Sequence, residues 1–135
     1  TKSVHPSGRL DLIDFEYCGM NFLGFDFGNL FTHCGGFTMD TSKFPGRNTR
    51  SLVLRPYLQA LQKLGQLTDL PTEDALLQRV DACTVCANCL WLVWGAVQFA
   101  SSALKFDFEA YTYRRLRMQL FLEETLLCNC GERQC

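Results

Sequence analysis

Four carboxylates fall within one short stretch of this 135-residue chain: Asp11, Asp14, Glu16 and Asp26, all between Leu10 and Phe31. Leu10 to Phe15 is an apolar run broken by Asp11 and Asp14. It reads as a buried strand with a carboxylate emerging at its end. Glu16 follows directly, then the turn residues Gly19, Asn21 and Gly24, and then Asp26. A carboxylate at a strand end, followed by a glycine-containing turn, suits a hard cation. Mg²⁺ takes oxygen ligands and needs only one or two carboxylates where phosphates complete its shell. The plain alternative is an ordinary strand and turn with solvated acids, and spacing alone leaves both open.

A second set of residues suggests recognition rather than bond-making. Trp91 and Trp94 stand three residues apart in the segment Leu90 to Gln98, with Phe106 and Tyr111 close behind. On a helix that spacing puts both indoles on neighbouring parts of one face. Core packing is the ordinary reading of such aromatics. Grouped rings can also form a cage for an ammonium group, at ~0.5–2 kcal/mol per ring.

The eight cysteines form a third set: 18, 34, 83, 86, 89, 128, 130 and 135. The run Cys83-x-x-Cys86-x-x-Cys89, with Cys128-x-Cys130 and Cys135 further on, raises the question of zinc. A helix places Cys83 and Cys89 about 9 Å apart along its axis. Sulfurs sharing one Zn²⁺ lie within about 4 Å of one another. All three cannot serve one ion, and Cys83 falls on an apolar stripe where cysteine packs as a small hydrophobe.

These groups need elements to hold them. Residues 32 to 48 are rich in Gly, Thr, Asp and Pro and read as a loop. Leu54, Tyr57, Leu58, Leu61 and Leu64 then recur at helical spacing, with Gly65 as C-cap and Pro56 marking either a start or a kink. Residues 67 to 71 form a connector. Thr72 offers an N-cap, and Glu73 and Asp74 sit in the first turn, where the helix dipole favours negative charge. Leu76, Val80, Cys83, Ala87, Leu90, Trp94 and Val97 then define one long helix over about 73–100 with a continuous buried stripe. A last helix is expected over about 108–127, with Arg114, Arg115, Arg117, Glu123 and Glu124 on its solvated side. The tail from Cys128 is polar.

Length fits one domain with enough apolar residues for a core. The formal net charge of -1, without a basic cluster, argues against a nucleic-acid footprint. No apolar run is long enough to span a bilayer, the longest being Cys89 to Ala100, interrupted by Gln98. The chain opens as if in mid-domain and is expected to be a fragment.

The string I-D-F-E-Y-x-x-x-N-x-x-G-F-D-x-G-N, Ile13 to Asn29 here, closely resembles the metal-binding segment of the choline/ethanolamine kinases. W-x-x-W-x-x-V-Q, Trp91 to Gln98, resembles their choline-pocket region. The resemblance covers Leu10 to about Leu120. It implies a mainly α (α+β) fold: the C-terminal portion of a protein-kinase-like large lobe, one short strand or hairpin followed by a helical bundle. It also implies an ATP- and Mg²⁺-dependent transfer of the γ-phosphoryl to choline or ethanolamine, in phosphatidylcholine and phosphatidylethanolamine synthesis. Asp14 would hold Mg²⁺, with Glu16 as a further ligand or a supporting acid. Asp26 and Asn29 would be scaffold residues, and Trp91, Trp94, Phe106 and Tyr111 would hold the substrate ammonium.

His33 stands where the resemblance implies a glutamate near that ammonium, and Phe37 is the nearest match to a further aromatic. With acceptors scarce, choline is expected over ethanolamine. A cytoplasmic location with reduced thiols is implied, and a homodimer is among the states allowed for the full-length enzyme. No H-x-D-x-x-x-x-N catalytic loop and no glycine-rich phosphate loop occur in this sequence, so the chain alone is expected to be inactive. Two further readings stand beside this one: a non-catalytic relative that keeps the ammonium pocket, and a cysteine-rich metal-binding or interaction module.

Overall fold

The computed structural model describes residues 11, 13–65 and 71–128. Within them the chain forms four α-helices: α1 (Phe25–Thr32), α2 (Arg47–Leu64), α3 (Glu73–Ser101) and α4 (Phe108–Leu122). Two 3₁₀ turns, Gly36–Thr38 and Thr41–Lys43, lie between α1 and α2, and α4 loosens into a π-helical turn over Glu123–Leu127.

α3 is the hub. The Thr72 hydroxyl caps it by accepting from the Ala75 N–H at 3.2 Å. One apolar cluster forms where it meets α1 and α2: Phe31, Leu54, Leu76, Leu77 and Val80. A second forms where it meets α4: Met39, Tyr111, Met118, Leu122 and Leu126, with Trp94 and Val85 against it. A Cβ on Gly28 of α1 would sit 2.6 Å from the Thr84 backbone nitrogen of α3. Only glycine admits so close a crossing.

The expected apolar stripe on α3 holds in part. Leu76, Val80 and Ala87 are buried, whereas Leu90 and Val97 are exposed. Asp81, Thr84 and Asn88 are buried instead, because α3 is packed from several sides and each polar side chain finds an internal partner. Asp81 pairs with Arg50 of α2, Thr84 donates to the Val80 carbonyl at 2.7 Å, and Asn88 donates to Gln119 at 2.8 Å. Two exposed ion pairs, Arg47–Asp74 and Arg55–Glu73, extend the α2–α3 seam. By length and composition α3 is also apolar enough to cross a membrane. That corrects the expectation drawn from unbroken apolar runs; here the helix is partly buried against α1, α2 and α4, with Leu90, Val93 and Val97 left exposed.

α2 ends at Gly65, whose φ of 60° and N–H to Gln62 make the expected left-handed cap. It starts nine residues before Pro56, at Arg47, so proline neither begins it nor stops it. The expected strand is absent among the described residues. Ile13 and Phe15 are 65% and 61% exposed, while Leu10 and Leu12 lie outside the described residues. A strand is held by ladder hydrogen bonds to a neighbour, and no described segment supplies one. The α+β expectation is therefore corrected to all-helical for these residues.

Candidate functional site

The Asp107 carboxylate accepts from the Ala110 N–H at 2.9 Å, which starts α4 at Phe108. Tyr111 then follows within the first turn, facing α3. A Cβ on Gly95 would lie 2.8 Å from Thr112 Oγ1 and 2.9 Å from Tyr111 Cδ1, so the two helices meet closely at that point. The closeness sets Tyr111 beside Trp94, with ring centroids 5.9 Å apart. Trp91 and Trp94 meet edge to face at 5.6 Å, Phe106 stands 6.0 Å from Tyr111, and Phe108 stands 5.8 Å from Trp94. Such edge-to-face contacts are ordinary aromatic packing, and here the rings also border an open space. The resulting cavity, about 320 Å³, is lined by these five aromatics together with His33, Phe37, Leu104 and Arg115. A volume of that order suits a small molecule.

Polar contacts hold the indoles from the other side. Trp91 Nε1 donates to Asn29 Oδ1 at 2.6 Å, and Trp94 Nε1 donates to the Tyr17 hydroxyl at 3.2 Å. Tyr17 also meets Trp91 edge-on at 5.8 Å. The segment preceding α1 therefore reaches the outer wall of the cavity.

One end of the cavity is cationic. Arg115 is 1% exposed, although it was expected among the solvated arginines of the last helix. Its Nε donates to the Tyr111 hydroxyl at 3.0 Å and Nη1 to Asn88 Oδ1 at 3.1 Å. Nη2 lies 3.0 Å from His33 Nε2. His33 Nδ1 lies 2.7 Å from the Asn29 carbonyl, so the consistent tautomer donates from Nδ1 and accepts from Arg115 at Nε2. Desolvation of the imidazole, with the Arg115 charge beside it, pulls the His33 pKa below its usual value despite the Asn29 bond. Burial lowers the Arg115 pKa as well, and a guanidinium remains charged regardless.

The expected acids lie apart from this cavity. Asp14, Glu16 and Asp26 are all exposed. Asp14 has a φ of 70°, a left-handed conformation that aspartate tolerates better than most residues. Asp26 sits in the first turn of α1. Among the described residues no three His, Cys, Asp or Glu side chains converge on a metal position. Cys18, Cys34, Cys83, Cys86, Cys89 and Cys128 are free thiols; Cys130 and Cys135 lie outside the described residues.

The structure thus brings Trp91, Trp94, Phe106 and Tyr111 together, with His33 in the same cavity wall and Asn29 behind Trp91. Sequence reasoning missed Arg115, Phe108 and Leu104. A signal existed: Phe108, Tyr111, Arg115, Met118 and Leu122 step by three and four along one face.

The choline/ethanolamine kinase family model matches residues 4–120. The chain belongs to the choline/ethanolamine kinase family. It is 35% identical over 109 residues to mouse (Mus musculus) ethanolamine kinase 2, covering 80% of this chain and 28% of that protein. Human (Homo sapiens) ethanolamine kinase 1 is 32% identical over 112 residues, 80% of this chain and 25% of that protein. A probable ethanolamine kinase of Arabidopsis thaliana is 30% identical over 107 residues, 79% of this chain and 28% of that protein. The chain therefore spans little more than a quarter of the length of these relatives. No solved structure matches.

Proposed function

We propose that this chain carries the amino-alcohol pocket and the metal-binding carboxylate of a kinase that moves the γ-phosphoryl of ATP onto a hydroxyl. The observation that carries this reading is the meeting of Trp91, Trp94, Phe106 and Tyr111 around one cavity of about 320 Å³. Their electron-rich faces attract an ammonium without any N–H to bond. The matched relatives are named ethanolamine kinases, and a primary ammonium calls for acceptors. Two acceptors at the cavity, Tyr111 Oη and His33 Nε2, already serve Arg115, which supports a methylated ammonium over a primary one.

The Asp14 carboxylate is a hard oxygen donor, exposed and followed by a turn, and it fits a divalent ion that draws its other ligands from phosphates and water. Mg²⁺ held there would neutralise charge on the ATP phosphates. Placement of the chain in the large lobe of a kinase-like fold, and a cytoplasmic location, belong to the same proposal. Since neither a catalytic-loop base nor a phosphate-binding loop occurs in this sequence, the chain by itself is proposed not to transfer phosphoryl groups.

The test is steady-state kinetics in the complete protein. Asp14→Asn should abolish turnover with the fold intact. Trp91→Ala or Trp94→Ala should raise the amine KM about tenfold, equivalent to ~1.4 kcal/mol, and leave the ATP KM in place. Unchanged amine KM in both tryptophan variants would return these rings to plain core packing.

A further inference from the structure

Arg115 puts a buried positive charge in the wall of a pocket whose rings suit a positive ligand. All three of its partners, Tyr111, Asn88 and His33, are neutral. Among the described residues Arg115 makes no ion pair, and no carboxylate lines the cavity. A guanidinium carries five N–H groups. Three are engaged in these contacts, which leaves two without an acceptor among the described residues. Its carbon also sits 5.2 Å from the Tyr111 ring centroid, so one cation already lies over one face of that ring. His33 deepens the imbalance: it accepts from Arg115 without cancelling its charge. A simple cation entering the pocket meets like charge, whereas a carboxylate meets an opposite charge with two N–H groups still to satisfy.

We infer that the pocket selects a zwitterionic acceptor, a hydroxylated trimethylammonium compound that also carries a carboxylate. The ammonium rests on the Trp91, Trp94 and Phe106 faces, and the carboxylate reaches Arg115. This rests on the reading of the cavity as the acceptor site.

The only two tryptophans of the chain both line this cavity, so intrinsic emission reports on the pocket itself. The full chain is titrated at matched ionic strength with choline and with carnitine, which share the trimethylammonium and hydroxyl groups and differ by a carboxylate. Acetate is run alongside to show what the carboxylate does alone. Carnitine should bind at least tenfold more tightly than choline, with acetate weak. In His33→Glu, where a carboxylate is built in beside Arg115, the order should reverse. Choline binding as tightly as carnitine to the unmodified chain would overturn the zwitterion and leave the acceptor site standing. A ratio unchanged in His33→Glu would overturn the role given to Arg115. No emission change with either amine would overturn both the inference and the acceptor site.

Discussion

Trp91 donates its indole N–H to Asn29 Oδ1 at 2.6 Å across 62 positions of sequence. The same asparagine offers its carbonyl to His33 Nδ1 at 2.7 Å and to the Thr32 hydroxyl at 2.9 Å. One residue of α1 thus orients an indole through its side chain and an imidazole through its backbone.

Asn29→Ala should remove the first contact and keep the second. It strands a part-buried indole donor, and the expected loss of stability is ~1–2 kcal/mol. Urea unfolding measures the loss, and a change in native-state tryptophan emission should accompany it. Unaltered emission and midpoint would mean that the bond positions nothing.

Gly28→Ala should be more damaging than its position in a short helix suggests. The added methyl would sit 2.6 Å from Thr84 N and 2.8 Å from the Cys83 carbonyl carbon, all of it backbone. α1 must then retreat from α3, at an expected ~1–3 kcal/mol. A lowered urea midpoint with an unchanged slope is the expected signature. Gly19→Ala, with nothing within 4 Å of the added methyl, is the matched control.

Some of this arrangement was legible in the sequence. Helix α3 could be read from Thr72 and the acids after it, because caps and periodicity are local signals. The aromatic grouping could be read from the Trp91/Trp94 spacing together with the family resemblance. Arg115 differs from Arg114 and Arg117 only in sharing the helix face of Phe108, Tyr111, Met118 and Leu122; the partners that hold its charge, Asn88 and His33, come from elsewhere in the chain. Among the described residues the strand expectation is not met for a related reason: Leu10 to Phe15 has the composition of a strand, but strands are stabilised in pairs and residues 13–15 form none. Nothing local marks Gly28 as special, and only the crossing with α3 reveals why it has no side chain.

Stability should depend on pH through His33. Its folded pKa lies below the unfolded value, so between the two the unfolded chain binds more protons than the folded one. Stability therefore rises with pH across that interval. It falls as pH drops below about 6.5 and levels off below the folded pKa, where protonation of the folded ring removes the acceptor of Arg115. Unfolding midpoints from about pH 7 to about pH 5 should show this slope, and His33→Gln should flatten it. Asp40 and Glu73, with pKa values lowered chiefly by bonds from Ser42 and Arg55 respectively, act in a more acidic range.

The cysteines should titrate as thiols. In denaturant without reductant, nearly all eight should react with a thiol reagent. A native sample should react readily at exposed Cys86 and Cys89 and more slowly at half-buried Cys83, whose pKa is raised by burial and by neighbouring Cys86. Zinc retained in stoichiometric amount after dialysis would contradict the free-thiol assignment.

The close crossing at Gly95 has a consequence for traffic. With Tyr111 and Thr112 of α4 lodged against a position that has no side chain, the two helices cannot part without opening a void at their contact. A guest therefore does not enter by prying α3 from α4. The linker between them, residues 102–107, brings Leu104 and Phe106 to the cavity wall, where they are 71% and 46% exposed. Motions of such a loop run on the nanosecond-to-microsecond scale, well ahead of any rearrangement of the two helices, so that wall of the cavity adjusts faster than the seam at Gly95.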